Sequence, residues 1–285
     1  MEKELLPWLP WALEKQFFPK NVPLITDYDD AIFHRYDCHR SRIVRGVLGR
    51  KIDEIMARSD IVFAGNDYLA SRAREAGAQD VRVVPTVVDM EKYSSTDGSQ
   101  NPVVKSKALS RGPVVGWIGT PVTWKEYGSA LALSLETTLR AQNSRLSAIG
   151  ASLTYYRDST VEFVPWSEDT EVSNIQNFDI GIMPLDDSPW SQGKCGYKLI
   201  QYMACGVPVI ASPVGVNKDI VEPGHNGLFA STAAEWIDAV NVLLGDSELR
   251  AKMGAAGRKK VEEEYSVQAW GPWVAELIKD TALGR

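Results

Sequence analysis

Short β-branched runs alternate along the chain with longer stretches of helical spacing. Residues 22–26, 61–64 and 81–84 read as strands. Between the first two, Val44, Val47, Leu48, Ile52, Ile55 and Met56 recur at helical spacing, which predicts a helix over 41–58 with one apolar face. Asn66 or Asp67 is placed to cap the next helix, which ends near Gly77. Residues 5–18 read as helical, interrupted at Pro7 and Pro10. Residues 94–112 lose apolar periodicity and carry Ser, Asp, Gly and Pro, the composition of a linker or long loop. Strands are predicted beyond it at 114–118, 146–149, 161–164, 180–184, 207–211 and 228–229. Helices are predicted at 124–142, 169–177, 197–205, 232–244 and 247–264, and Ser266 is placed to cap a last one through 278. The alternation implies an α/β fold with parallel sheets built from βαβ units.

The two parts are unequal. Residues 1–105 form a partial Rossmann-like domain, 106–265 a complete one, and 266–285 a closing helix. A sheet of about three strands leaves an edge unpaired and apolar surface uncovered. The first domain is therefore expected to be incomplete, its other strands lying upstream in the natural gene or coming from a partner chain.

Composition narrows the function. Lys and Arg number 31 against 37 Asp and Glu, a formal charge of −6 that disfavours nonspecific nucleic-acid binding. No apolar run reaches the roughly 18–20 residues needed to span a bilayer. Glu2 and Glu4 stand where a secretory signal would carry positive charge. Cys38, Cys195 and Cys205 form no CxxC pair, which fits a reducing cytoplasm, and His34, His39 and His225 lack metal-motif spacing. No metal site is expected.

Chemistry concentrates at 186–215. A polar loop with Gly193 and Gly196 runs into a predicted helix and is followed by Gly206, Pro208 and a buried strand. A glycine loop at a helix start presents backbone N–H groups at the positive end of the helix dipole, an arrangement that holds a diphosphate. Lys194 and Lys198 add formal charge. The other reading is a sharp turn with two solvated lysines. A second glycine turn, Gly116 to Gly119, precedes Thr120 and Lys125, and ligands of open α/β sheets bind beyond such strand ends. Lys125 reads equally as a solvated residue at a helix start.

These segments together resemble the GT-B glycosyltransferases of family 4. The resemblance rests on 193–215, with Tyr202, Met203, Ala204, Cys205, Gly206, Val207, Pro208, Val209, Ile210, Ala211 and Ser212. Residues 61–69, 84–89, 115–119 and 219–228 agree in order. The resemblance implies two Rossmann-like domains facing across a cleft. It implies transfer of a sugar, with retention, from a nucleoside-diphosphate sugar to a glycan or lipid-linked acceptor, without an obligatory metal or other cofactor.

Gly119, Thr120, Lys125, Lys194, Gly196, Tyr197 and Lys198 would then surround the donor diphosphate. The family usually has a glutamate before the donor loop and another eight residues later, the second holding the ribose; here these are Gly193 and Gln201. The arginine usual after the glycine turn is Thr120. The loop resembles a subgroup with GKxxxK spacing. Pro165 and Trp166 match the nucleobase region, although Trp166 reads preferentially as core. Asp29 falls where relatives place an acceptor-side histidine, so its carboxylate would orient the acceptor hydroxyl or accept its proton; the other reading is an acidic loop capping the next element.

Arg35, Arg40, Arg42, Arg45, Arg50 and Lys51 form a basic run that fits a peripheral contact with the inner membrane face or a lipid-diphosphate acceptor, but reads preferentially as a solvated helix face. Trp8, Trp11, Phe17 and Phe18 read as an apolar face packed on the sheet. Trp270 and Trp273 are expected to pack the last helix. Two alternatives to transfer remain: a non-catalytic nucleotide-sugar-binding or assembly subunit, and another GT-B enzyme such as a nucleotide-sugar epimerase.

Overall fold

A computed structural model describes residues 1–18, 21–94, 112–152 and 160–284. Most of the predicted 94–112 linker, and the 105/106 boundary within it, lie outside these residues. The chain groups into two compact units. Unit 1 holds Met1–Thr86, Asp187–Cys195 and Trp270–Arg285; unit 2 holds Val87–Asp186 and Gly196–Ala269. The contiguous division read from the sequence lacks this interleaving.

Unit 1 contains a three-stranded parallel sheet in the order β1 (Ile25–Tyr28), β2 (Ile61–Ala64), β3 (Val81–Val83). The central strand β2 is buried along its whole length, as continuous apolar runs in parallel sheets are. Strand β1 starts later than expected, after Pro23, which lacks the N–H that a ladder needs. Its outer edge is met by the chain start: the Lys3 N–H donates to the Asp27 carbonyl, and the Asp27 N–H to that of Met1, both at 3.0 Å.

The helix expected over 41–58 is two helices, Arg42–Leu48 and Lys51–Arg58, because Arg50 leaves the helical region at φ −106° and ψ 6°. Ile52, Ile55 and Met56 enter a core with Phe33, Tyr36, Val62 and Leu69. Each such side chain contributes roughly 1.5–3 kcal/mol by burial. Asn66 caps helix Asp67–Ala76, its side chain accepting from the Leu69 N–H at 3.0 Å, and left-handed Gly77 ends the helix.

Two expectations for this unit are corrected. Lys51 is not on a solvated face: its side chain is fully buried, with Nζ 2.6 Å from Glu4 and 2.7 Å from Glu14. The segment 5–18 is mostly non-helical, leaving only Trp11–Glu14 and a 3₁₀ turn at Lys15–Phe17. Nor is it all packed on the sheet, since Trp8 and Phe17 are exposed. Trp273 in helix Val267–Leu283 is likewise partly exposed, edge-on to Trp270 at 5.8 Å.

Unit 2 is a six-stranded parallel sheet with strands β4 (Val114–Ile118), β5 (Arg145–Ile149), β6 (Val161–Val164), β7 (Ile180–Met183), β8 (Val209–Ala211) and β9 (Gly227–Phe229). Their order, β6-β5-β4-β7-β8-β9, is the doubly wound order, with its switch point between β4 and β7. Leu135 and Leu139 of helix Ser129–Ala141, with Val240 and Leu243 of helix Ala233–Gly245, belong to one core layer. Leu199, Ile200, Tyr202 and Met203 of helix Tyr197–Ala204 belong to the other. Tyr202 fixes that helix at the switch point, its hydroxyl accepting from Ile118 N–H at 3.0 Å and donating to the Ile182 carbonyl at 3.4 Å.

Candidate functional site

The carboxyl ends of β4, β5 and β6 come together in unit 2. The Gly119 N–H donates to the Ile149 carbonyl at 3.0 Å, holding the turn after β4 against the end of β5. A Cβ at Gly150, just after β5, would lie 3.4 Å from Trp166 Cβ, which places Trp166, after β6, at the same edge. Thr120 closes the turn as a capping box with Thr123, so its side chain is engaged in starting the next helix. Lys125 lies exposed in the π-helical segment Trp124–Gly128.

Helix Tyr197–Ala204 approaches this edge through its first turn. Gly196 precedes it at φ +68°, a left-handed conformation that glycine adopts without a Cβ penalty. No side chain caps this start, unlike the helices that begin after Asn66, Thr120 and Thr232. The first N–H groups of a helix have no intrahelical acceptor, so this start is electropositive. Lys198 brings a formal charge: its Nζ lies 4.7 Å from the Trp117 ring centroid, and a Cβ on Gly119 would lie 2.8 Å from that Nζ. The glycine turn and the lysine thus meet.

Gln201 sits on the same helix but is only 2 % exposed. Its amide nitrogen donates to Glu171 Oε1 at 2.8 Å and to the Tyr93 hydroxyl at 3.1 Å. Trp166 is 54 % exposed, so the preference for a core role is corrected; its indole N–H donates to Glu171 Oε2 at 2.7 Å. Pro165 beside it is exposed. Tyr197 is 45 % exposed and hydrogen-bonded to Tyr93, and burial of its ring with the nearby Glu171 charge raises its pKa. Burial pushes the Cys205 thiol up to about 12.

The remaining candidates belong to unit 1. Gly193 packs against Ala31, whose backbone nitrogen would lie 3.0 Å from an added Cβ. Lys194 presents Nζ 3.6 Å from Asp30, and its carbonyl accepts from Asn66 at 3.1 Å. Burial raises the Asp30 pKa, with Lys194 opposing that shift. Asp29, the residue singled out from the sequence, is partly exposed and ion-paired with Lys3 at 2.7 Å.

Sequence reasoning missed Glu171 and Asp30. Asp30 adjoins Asp29 and was hidden in the same acidic loop. Glu171 looked like one more charge on a surface helix, and the only signal for it was the amide at 201 where a carboxylate was expected.

The fold is that of the GT-B glycosyltransferases: α/β, with parallel sheets. Residues 112–246 match the family model for "Glycosyl transferases group 1". A curated relative is the GDP-mannose-dependent monoacylated alpha-(1-6)-phosphatidylinositol monomannoside mannosyltransferase of Corynebacterium glutamicum, 33% identical over 85 residues. That match covers 30% of this chain and 22% of the relative, about a fifth of its length.

Among solved structures, Anabaena HepE in complex with UDP and glucose superposes with a TM-score of 0.72 at 18% identity, over 90% of this chain and 71% of that one. Sucrose-phosphate synthase from Thermosynechococcus elongatus gives 0.73 at 19%, over 96% and 71%. At these identities the structural likeness concerns the fold. No helix among the described residues is long and apolar enough to cross a membrane.

Proposed function

We propose that the chain is a glycosyltransferase that moves a sugar, with retention, from a nucleoside-diphosphate sugar to a glycan or lipid-linked acceptor. The observation that carries the reading is the uncapped start of helix Tyr197–Ala204 at left-handed Gly196, with Lys198 Nζ against the Gly119 turn at the switch point. The family match over 112–246 supports it, as does the fold shared with a UDP-bound structure.

In this reading the bond between the anomeric carbon and the diphosphate oxygen breaks, and a bond to the acceptor oxygen forms. Negative charge grows on the departing diphosphate. The first-turn amides and the Lys198 ammonium stabilise that charge more in the transition state than before it, which lowers the barrier. Asp29 is the proposed acceptor-facing carboxylate, orienting the hydroxyl or taking its proton. No protein nucleophile is assigned.

Lys198→Ala should weaken nucleoside-diphosphate binding by about tenfold or more, the scale of a lost charge-assisted contact. Calorimetric titration reads this directly, and an unchanged affinity removes Lys198 from the site. Incubation with labelled donor, with and without acceptor, separates transfer from isomerisation. Binding without any turnover would make the chain a nucleotide-sugar-binding subunit.

A further inference from the structure

Gln201 was expected to face the ribose, but the structure gives its amide hydrogens other partners. An ionised carboxylate can only accept, so the NH2 group of Gln201 must be the part turned to Glu171. The second amide hydrogen goes to Tyr93, at 3.1 Å. Gln201 is thereby a buried support for Glu171. The indole of Trp166 supplies the second support, on the other carboxylate oxygen. Two N–H donors at 2.7 and 2.8 Å, one per oxygen, fix the plane of the carboxylate. A carboxylate offers about four acceptor positions, and these donors take two.

Glu171 comes from helix Glu168–Ile175 and is half-buried rather than enclosed. Gln201 and Lys198 lie three residues apart on helix Tyr197–Ala204 and so share a face. Trp166 adjoins the Gly150 turn, which adjoins Gly119 and Lys198. One edge of the unit 2 sheet therefore carries a cationic diphosphate cradle and, beside it, an anchored anion with spare acceptor capacity. An anion there repels phosphate and attracts hydroxyl donors. The donor-rich group adjoining the phosphates in a nucleoside diphosphate is the ribose.

We infer that Glu171 is the acceptor of the donor's ribose hydroxyls, with Gln201 and Trp166 as positioning residues that hold its carboxylate in place. This rests on the nucleotide-sugar reading given above. It reassigns the ribose contact from Gln201 to a residue on a different element. A site that bonds a hydroxyl disfavours an analogue lacking it, because that charge-assisted contact is lost.

The test is calorimetric titration of the full chain with UDP, GDP and their 2′-deoxy counterparts. The wild-type protein should prefer the ribose form of whichever base it binds by about tenfold or more. Glu171→Gln should bring that ratio close to one, the ribose form losing more affinity than the 2′-deoxy form. Trp166→Phe, which keeps the ring and removes the N–H, should lower the ratio in part. A ratio unchanged in Glu171→Gln overturns the assignment and leaves the donor reading standing. Equal losses for ribose and deoxyribose forms would mark Glu171 as merely structural and also overturn it. A wild-type protein that binds none of these nucleotides overturns the donor reading itself, and this inference with it. If Glu171→Gln shows no cooperative melting, Glu171→Asp keeps the charge one methylene further back and should reduce the ratio without abolishing it; an unchanged ratio there is equally contrary.

Discussion

Lys51 shows what one residue can impose on unit 1. Its ammonium is buried between the carboxylates of Glu4 and Glu14 and also donates to the Leu6 carbonyl at 2.6 Å. Glu14 in turn accepts from the Leu5 N–H at 2.8 Å, so one cation organises most of the segment before β1. Removing one member of such a group leaves the others buried without compensation. Lys51→Met should therefore cost about 3–5 kcal/mol. Urea unfolding followed by circular dichroism measures it, and a loss under about 1 kcal/mol would show that water replaces the ammonium freely. The sequence concealed this role because Lys51 follows a run of arginines. Neither the burial of one lysine in that run nor its acidic partners, far upstream in the chain, can be seen in a local pattern.

At the scale of elements, helix starts carry testable electrostatics. Helix Ala233–Gly245 opens with a reciprocal cap between Thr232 and Glu235. Hydrogen bonds from the Ser231 and Thr232 N–H groups hold the Glu235 carboxyl below the usual glutamate range. A carboxylate with a depressed folded pKa contributes stability above its unfolded value, near 4.3, and loses it as pH falls through the folded value. Glu235→Gln should thus melt below the wild type at pH 7, and the gap should close in the acid range. Thermal melts at several pH values decide it; a gap independent of pH would assign the effect to packing. The elements were also the most legible part of the chain. Strands β4 and β6 begin and end where the β-branched runs do, because both are bounded by Gly, Pro or polar residues. The helix break before Lys51 was not legible, since apolar spacing continues through Gly49 and Arg50 and only the backbone angles change. Around the candidate site, the 116–119 glycine turn and Lys198 stand out in the sequence because their chemistry is local. Glu171 does not, because its partners Gln201 and Trp166 come from other loops and helices.

For the whole molecule, the donor reading makes stability depend on ligand concentration. A nucleotide that binds only the folded chain stabilises it by about 2.7 kcal/mol at one hundred times its Kd. A melting-temperature rise with UDP or GDP, lost in Lys198→Ala, is the expected outcome; no rise with any nucleoside diphosphate would count against the reading. The interleaving of the units has another consequence. The backbone passes from one to the other after Thr86, Asp186, Cys195 and Ala269. A protease that severs the chain once therefore cannot release unit 1 whole, whereas the fragment beyond Thr86 keeps both segments of unit 2. Cleavage after Thr86 leaves the larger fragment still carrying Asp187–Cys195 and Trp270–Arg285, pieces that the smaller one needs. Gene dissection at a single point therefore never isolates unit 1, while a fragment starting at Val87 carries all six strands of the unit 2 sheet.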